Sequence, residues 1–491
     1  MLPVVVKRFL NPAFWVVVSV VIAGLLVGVI AGTSPSLLVA ALAAPFLLAY
    51  FFWDFERAVI GLLLIRSSLD TFSEGGIPAA YAIGLDALTL IYITVQLLTG
   101  RPVKTDWFWW CLAGWVAFHG LWLIFLPLGG LGFDADPSLL RISLREWVRW
   151  FTLAMVYLLV MQLKDRVHPS KALSLMFFSL IPPVTFGLVQ LLAPSSLPEE
   201  LVRTGRGGQS AQLAAQGIDI SRINGTFGHP NTFALYLILF IALAWWKTNQ
   251  SKKRWPWLAL MFLLTFVLVG TKALGALIMF SIFILIQALT KIDPPKLFAS
   301  GIFLVIAIAL FGSTEFGQAR LLEISETPLL NPEIDVSRAI LMRGNSFNWR
   351  IAQWVDVLGA WREHPFLGFG LDLSQFIPKE NNLAPHNDYI RALVETGLLG
   401  LAGLLTFLAL QLTRLLALLK GSQGQSQRNL CSGLFAIGVA ICVGMLADNV
   451  LSATPFWLYF WSVMAMAGWD WGDPQNPQDA GDIDSRTIEK S

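Results

Sequence analysis

Charge is scarce in this sequence. Asp, Glu, Lys and Arg together make up 13% of the 491 residues, whereas apolar residues make up 56%. A soluble globular protein carries about 25% charged residues, so the composition argues against a soluble protein and predicts a polytopic membrane protein. The net charge of +2 is too small to attract nucleic acid, and we therefore expect no nucleic-acid partner.

Cysteine is also scarce, and the usual nucleotide-binding motifs are missing. The three cysteines lie inside apolar runs and form no C-x-x-C pair, so we expect free thiols rather than a metal site or a redox motif. The sequence contains no Walker A motif, no dinucleotide-binding glycine motif and no repeat of fixed period. We therefore do not expect ATP or a nucleotide sugar as the direct substrate.

Long apolar runs are what the sequence contains instead. Many approach the length of about 17–25 residues that crosses a bilayer, and they predict an all-α polytopic membrane protein with about fourteen transmembrane helices. The third run is short and contains Arg66, and the fourth contains Asp86, so both are doubtful as simple spans. The first run, Phe14 to Ala31, is too long for a signal peptide and predicts a retained anchor. The predicted spans lie near 13–31, 36–53, 57–68, 79–99, 107–128, 146–163, 170–193, 231–246, 255–270, 272–290, 297–312, 396–419, 430–447 and 454–469.

The distribution of Lys and Arg predicts the orientation. These residues are concentrated in alternate connections between the spans, and such connections face the cytoplasm. Both termini are then cytoplasmic, and the loops 194–230 and 313–395 face outward. The tail 470–491 is acidic and rich in Pro, Gly and Asn, and it is predicted to be a disordered cytoplasmic appendage.

The stretch from Ser313 to Glu395 is the longest interruption in the apolar pattern. Loops of this length are often functional. Within it, apolar residues at spacings of three and four predict an amphipathic helix over Ser346–Glu363 that lies on the membrane surface. Pro365, Gly368 and Gly370 then predict a sharp turn. The apolar stripe consists of Ile351, Trp354, Val355, Leu358 and Trp361.

The loop 194–230 is the second polar segment of interest, and it carries Arg203, Arg206 and Arg222. Asn231 is expected to cap the helix that follows, where the partial positive charge of the helix N-terminus favours an anion. Arginine side chains match phosphate oxygens in geometry and charge. Two basic outward loops above an apolar body therefore predict an amphiphilic substrate with a diphosphate head and a lipid tail.

Five short motifs follow one another over about residues 200–450. They are Arg222-x-x-Gly225-Thr226-Phe227-x-x-Pro230-Asn231, Arg350-x-x-x-Trp354, His364-Pro365-x-x-Gly368-x-Gly370, His386-Asn387-x-Tyr389 and Glu395-x-Gly397-Leu398-x-Gly400. In this order and spacing, the motifs resemble the O-antigen ligase/polymerase membrane family. The resemblance implies a GT-C-like integral membrane glycosyltransferase, with N-terminal helices over 1–193 and a catalytic region over 194–469. It also implies transfer of a glycan from undecaprenyl diphosphate to a lipid or glycan acceptor, at the outer face of the cytoplasmic membrane.

The resemblance also implies roles for individual residues. His386 corresponds to the catalytic histidine and Arg222 to the arginine that binds the diphosphate, and the two are expected to meet above the membrane. The family often has a Thr-x-Ser-Arg-Gly pattern, but this sequence has Leu274 at the arginine position, so Lys272 is the nearest replacement for the charge. Arg350 is a further cation for the diphosphate. Supporting roles fall to Asn387, Tyr389, Glu395 and Trp354.

The expected reaction is a single displacement that inverts the anomeric carbon and needs no cofactor or metal. The pair Asp134 and Asp136 could hold a divalent ion, but the following proline favours a turn. The shared motifs leave polymerase and ligase open, and the span count favours a polymerase, with a chain-length regulator as a candidate partner beside membrane lipids. The alternative function is a transporter of bicarbonate or another small anion.

Overall fold

The computed structural model describes residues 45–73, 76–133, 137–198, 222–290, 294–325, 327, 346–377 and 384–472. The described residues form helices joined by short connections, and none of them is in a β-strand. The expected all-α class is therefore confirmed for these ranges. The α-helices are α1 Phe55–Ile65, α2 Ile77–Leu98, α3 Trp107–Phe125, α4 Pro137–Met161, α5 Pro169–Met176, α6 Ile181–Leu192, α7 Pro230–Thr248, α8 Trp255–Gly270, α9 Leu274–Thr290, α10 Pro294–Gly312, α11 Glu315–Ser325, α12 Ser346–Trp361, α13 Asp388–Lys420, α14 Gln425–Gly444 and α15 Thr454–Ala467.

Six helical segments in the described ranges are long and apolar enough to cross a membrane, or seven if the bent pair α10 and α11 counts as one span. The predicted count of about fourteen is therefore not confirmed. The first predicted span and half of the second lie outside the described residues. The six segments are α2, α3, α5 with α6, α7, α13 and α14.

Helix length and charge explain why several predicted spans fail this test. The run predicted at 57–68 is an 11-residue helix, α1, followed by short 3-10 turns. At about 1.5 Å per residue, α1 is much shorter than a hydrocarbon core of about 30 Å. α4 is long, but Arg145, Glu146 and Arg149 place charge in its middle. The helices α8 and α9 are apolar but fall below 18 residues.

The centre of the protein is built from α7, α14 and α15. In α7 and α14, 72% of the apolar window is buried inside the protein, against 28% in α2 and 33% in α3. Every residue of α15 from Pro455 to Ala467 is buried. A helix that is apolar on all sides fits such an interior position. The residues at the ends of these central helices are therefore held in fixed positions.

The long polar stretch contains two helices. α12 spans Ser346–Trp361, which confirms the helix predicted over Ser346–Glu363 to within two residues. α11 follows α10 after a bend of 95°. Gly317 permits this corner, because a Cβ atom there would lie 2.0 Å from the carbonyl oxygen of Phe311. α11 packs on both α10 and α12.

The predicted start of the span at 396 lies one residue from a break in α13 at Gly397, and a further helical segment that begins at Asp388 precedes this break. Gly397 has a φ of +67°, and a Cβ atom there would lie 2.1 Å from the carbonyl oxygen of Phe366. The turn after α12 fits into this break. The amide of Leu398 donates to the Pro365 carbonyl at 2.9 Å, and the amide of Gly370 donates to the Glu395 carbonyl at 2.8 Å. The proline–glycine turn and the glycine motif of α13 therefore form one interlocked unit.

Candidate functional site

His386 lies immediately before α13, in a backbone conformation that is held by its neighbours. Its φ is +50°, a region that non-glycine residues rarely adopt. Asn387 caps α13 by accepting from the amides of Tyr389 and Ile390, each at 3.0 Å. The amide of Asp388 also donates to the carbonyl of Met445 at 2.9 Å. These bonds fix His386 against the segment that follows α14.

Asp448, in that segment, is the residue to which the predicted site residues converge. It is only 6% exposed. Its Oδ1 lies 3.4 Å from Nδ1 of His386, and its Oδ2 accepts from Nδ2 of Asn231 at 2.5 Å. A buried carboxylate of this kind must be paired or hydrogen-bonded to offset its loss of hydration. Asp448 therefore connects the start of α13 to the start of α7.

Arg222 joins the same chain of hydrogen bonds through Asn231. Its Nη2 donates to Oδ1 of Asn231 at 2.6 Å, and its Nε donates to the carbonyl of Thr271 at 2.9 Å. The expectation that Asn231 caps α7 is wrong. His229 is the N-cap, and its Nδ1 accepts from the Asn231 amide at 3.2 Å. The Asn231 side chain is thereby available to bridge Arg222 and Asp448.

Arg350 and Trp354 lie one helical turn apart on α12 and contact both segments that flank the histidine–aspartate pair. Nη1 of Arg350 donates to the carbonyl of Ala447 at 2.7 Å. Nε1 of Trp354 donates to the carbonyl of Pro385. These carbonyls belong to the residues that precede Asp448 and His386. The structure therefore places both predicted residues at the site, where their contacts are to the backbone.

Lys272 lies at the end of α8 and has a φ of +51°. Its Nζ lies 5.6 Å from the centre of the Phe316 ring, and Cζ of Arg320 lies 4.9 Å from the same centre. Leu274, which occupies the arginine position of the family pattern, is the first residue of α9. Lys272 is connected to Arg222 through the backbone, because Arg222 donates to the neighbouring Thr271 carbonyl.

The other predicted supporting residues have structural contacts. The Tyr389 hydroxyl donates to the carbonyl of Cys442 at 2.7 Å. Glu395 lies in a different cluster, where its carboxylate accepts from Nε of Arg391 at 3.0 Å, from the Ser374 hydroxyl at 2.6 Å and from the Asp372 amide at 2.9 Å. Glu395 therefore holds the interlocked turn rather than contacting His386.

The electrostatics of the site follow from burial and proximity. Burial alone would raise the pKa of Asp448, but the hydrogen bond and charge of His386 and the charge of Arg350 outweigh it and hold this pKa well below its usual range. Burial lowers the pKa of Arg222 to about 10, where Asp448 opposes the shift while Arg320 and Arg350 add to it. Burial also lowers the pKa of Arg350. The site thus combines an ionised carboxylate with arginines that repel one another.

Sequence reasoning identified the histidine and the arginines but missed their partners. Neither Asp448 nor Arg320 belongs to any of the five motifs. An acid at the end of an apolar run is a weak signal for Asp448, since it must find a partner. The sequence holds no comparable signal for the bridging role of Asn231, because that role depends on three segments meeting in space.

No group of three or more His, Cys, Asp or Glu side chains is placed to hold a metal ion in the described ranges. Asp134 and Asp136, considered above as a metal pair, lie outside these ranges, as do Arg203 and Arg206.

A protein-family model matches a part of the chain that contains several of the site residues. Residues 231–405 match the model described as O-antigen ligase. The matched region contains Asn231, Lys272, Arg350 and His386, whereas Arg222 and Asp448 lie on either side of it. No curated protein matches the chain.

Proposed function

We propose that this chain, which belongs to the O-antigen ligase/polymerase family through residues 231–405, is a membrane glycosyltransferase that uses a lipid-diphosphate-linked glycan. The donor is undecaprenyl diphosphate carrying a glycan, and the acceptor is a hydroxyl group at the outer face of the cytoplasmic membrane. The observation that supports this best is the continuous chain of contacts from Arg222 through Asn231 and Asp448 to His386. It joins a phosphate-binding side chain to a proton acceptor.

His386 acts as the general base in this proposal. Asp448 accepts from Nδ1–H of His386, which leaves Nε2 unprotonated and basic. A quarter of the His386 side chain is exposed, so an acceptor can approach it. As Nε2 takes the proton from the acceptor hydroxyl, the oxygen attacks the anomeric carbon. The bond between that carbon and the diphosphate oxygen breaks, and the lipid diphosphate leaves with the electron pair.

Cationic side chains stabilise the leaving group. Arg222 and Arg350 lie close enough to repel each other, and Lys272 follows the residue whose carbonyl binds Arg222. Positive charges fixed in advance near a departing diphosphate lower the barrier, since they stabilise the charge that develops there. Because one displacement occurs, the configuration of the anomeric carbon is inverted.

A null mutant of the producing cell tests this function through its surface glycan. Loss of long chains with single lipid-linked units retained would identify a polymerase. Accumulation of long lipid-linked chains that are not attached to an acceptor would identify a ligase. An unchanged surface glycan would contradict both, and anion flux by the purified protein in liposomes without glycan transfer would identify the transporter.

A further inference from the structure

Arg320 belongs to the same charged region as Arg222 and Arg350, although none of the family motifs contains it. Its charge lowers the pKa of both other arginines, and its helix α11 packs on α12, which carries Arg350. Two carboxylates, those of Asp448 and Glu323, attract these arginines. Asp448 attracts Arg222 and Arg350, and Glu323 attracts Arg350 while forming an ion pair with Arg320. The charges of three arginines and two carboxylates therefore interact in this region.

The position of Arg320 is set by the fold rather than by a flexible loop. The 95° bend between α10 and α11 sets the direction of α11, and α11 packs on α12, which carries Arg350. Only 14% of the Arg320 side chain is exposed. Its guanidinium rests on the Phe316 ring, which also lies beside Nζ of Lys272. One aromatic ring therefore orients two cations by cation–π contact.

Like charges held together in a partly buried region destabilise one another unless an anion joins them. A diphosphate diester carries two negative charges and several oxygens that accept from arginine forks. Glu323 is positioned to neutralise Arg320 when no diphosphate is bound. The Glu323 carboxylate would then compete with the diphosphate for Arg320.

We propose that Arg320, oriented on Phe316 and paired with Glu323, is a further binding residue for the diphosphate of the lipid donor. This inference rests on the proposed function and adds α11 to its substrate site. In this arrangement α11 forms the wall of the site next to Lys272, and Arg222 and Arg350 lie on the side of Asp448.

Binding of farnesyl diphosphate to the full chain in detergent tests this assignment. Arg320→Ala is expected to weaken binding at least about tenfold, because a charged hydrogen-bonding group is lost. Arg320→Lys should lie between this variant and the wild type, since it keeps the charge but loses the fork. Glu323→Gln should bind more tightly than the wild type. The matched control is Arg57→Ala, which removes the same charge from an arginine that pairs with Asp54 and is 83% exposed.

The outcomes separate the possible anions. If Arg320→Ala weakens binding to phosphatidylglycerol vesicles or to inorganic phosphate as much as it weakens binding to farnesyl diphosphate, the site is a general anion site. That result would overturn the diphosphate assignment. Wild-type affinity for farnesyl diphosphate in Arg320→Ala, or weaker binding in Glu323→Gln, would also overturn it. If Arg320→Ala does not fold, Arg320→Gln carries the same expectation, with a single thermal unfolding transition as the check on folding.

This inference can fail separately from the proposed function. In a transfer assay, Arg320→Ala should raise KM for the lipid donor, with a smaller effect on kcat. If Arg320→Ala transfers with wild-type KM and His386→Ala is inactive, the role of Arg320 is refuted and the glycosyltransferase remains. If His386→Ala transfers normally, the proposed mechanism is refuted whatever Arg320 does.

Discussion

Nδ1 of His386 lies 3.4 Å from Oδ1 of Asp448, although 62 residues separate them in the sequence. The contact exists because the start of α13 is hydrogen-bonded to the segment after α14, through Asp388 and Met445 among others. Asp448 lies beyond the matched family region, which ends at residue 405. The partner that sets the chemistry of His386 therefore comes from a different part of the chain.

The first prediction concerns the role of Asp448 in orienting His386. Asp448→Asn is expected to reduce transfer by roughly 100-fold, because an amide can present its NH2 group to Nδ1 and favour the wrong tautomer. The measurement is kcat with a lipid-linked glycan as donor. The affinity for farnesyl diphosphate should change much less than kcat. Wild-type kcat in this variant would contradict the assignment.

The second prediction concerns the break in α13. Gly397→Ala should destabilise the protein by roughly 1–3 kcal/mol or more, because φ is positive there and the new methyl group meets the Phe366 carbonyl. Gly359→Ala is the matched control. Gly359 lies within α12, and a Cβ atom there meets nothing within 4 Å, so alanine should be neutral or stabilising by up to about 1 kcal/mol. Thermal unfolding in detergent compares the two, and equal effects would refute the interlocked turn.

The third prediction concerns the ion cluster around Arg391. Its guanidinium donates to Glu395 at 3.0 Å and to Asp372 at 2.8 Å, and it lies 3.5 Å from Glu146. Arg391→Ala would leave buried carboxylates without their partner, and we expect a cost of roughly 3–5 kcal/mol. The measurement is the yield of folded protein and its Tm. Arg57→Ala, at an exposed pair, should cost less than about 1 kcal/mol, and a similarly small loss for Arg391→Ala would contradict the prediction.

The fourth prediction is a pH dependence that follows from the low pKa of Asp448. An unfolded aspartate has a pKa of about 3.9. Because the folded pKa is lower, the stabilisation is fully present above about pH 4 and is lost as the pH falls towards the folded value. The Tm advantage of the wild type over Asp448→Asn, measured at about pH 5, should therefore shrink at about pH 3. An advantage that grows on acidification would show that the sign of the shift is wrong.

The sequence predicted the positions of most of the described helices, including α12, since helix formation depends on local periodicity. It also indicated that Arg222 and His386, from separate loops, belong to one site. It failed where the outcome depends on how distant segments meet. The start of α13 at Asp388, the bridging role of Asn231 and the contact of Asp448 with His386 are set by packing between helices that are far apart in the chain. Periodicity and motif spacing hold no information about such contacts.

The most direct test of the account is glycan transfer by His386→Ala, measured with purified full-length protein and a lipid-diphosphate-linked glycan. The matched control is His168→Asn, which keeps a capping side chain at the start of α5. The account predicts that His386→Ala still unfolds in a single thermal transition and keeps its affinity for farnesyl diphosphate but loses transfer by at least about 100-fold, while His168→Asn transfers normally. Near-wild-type product formation by His386→Ala would contradict the central claim.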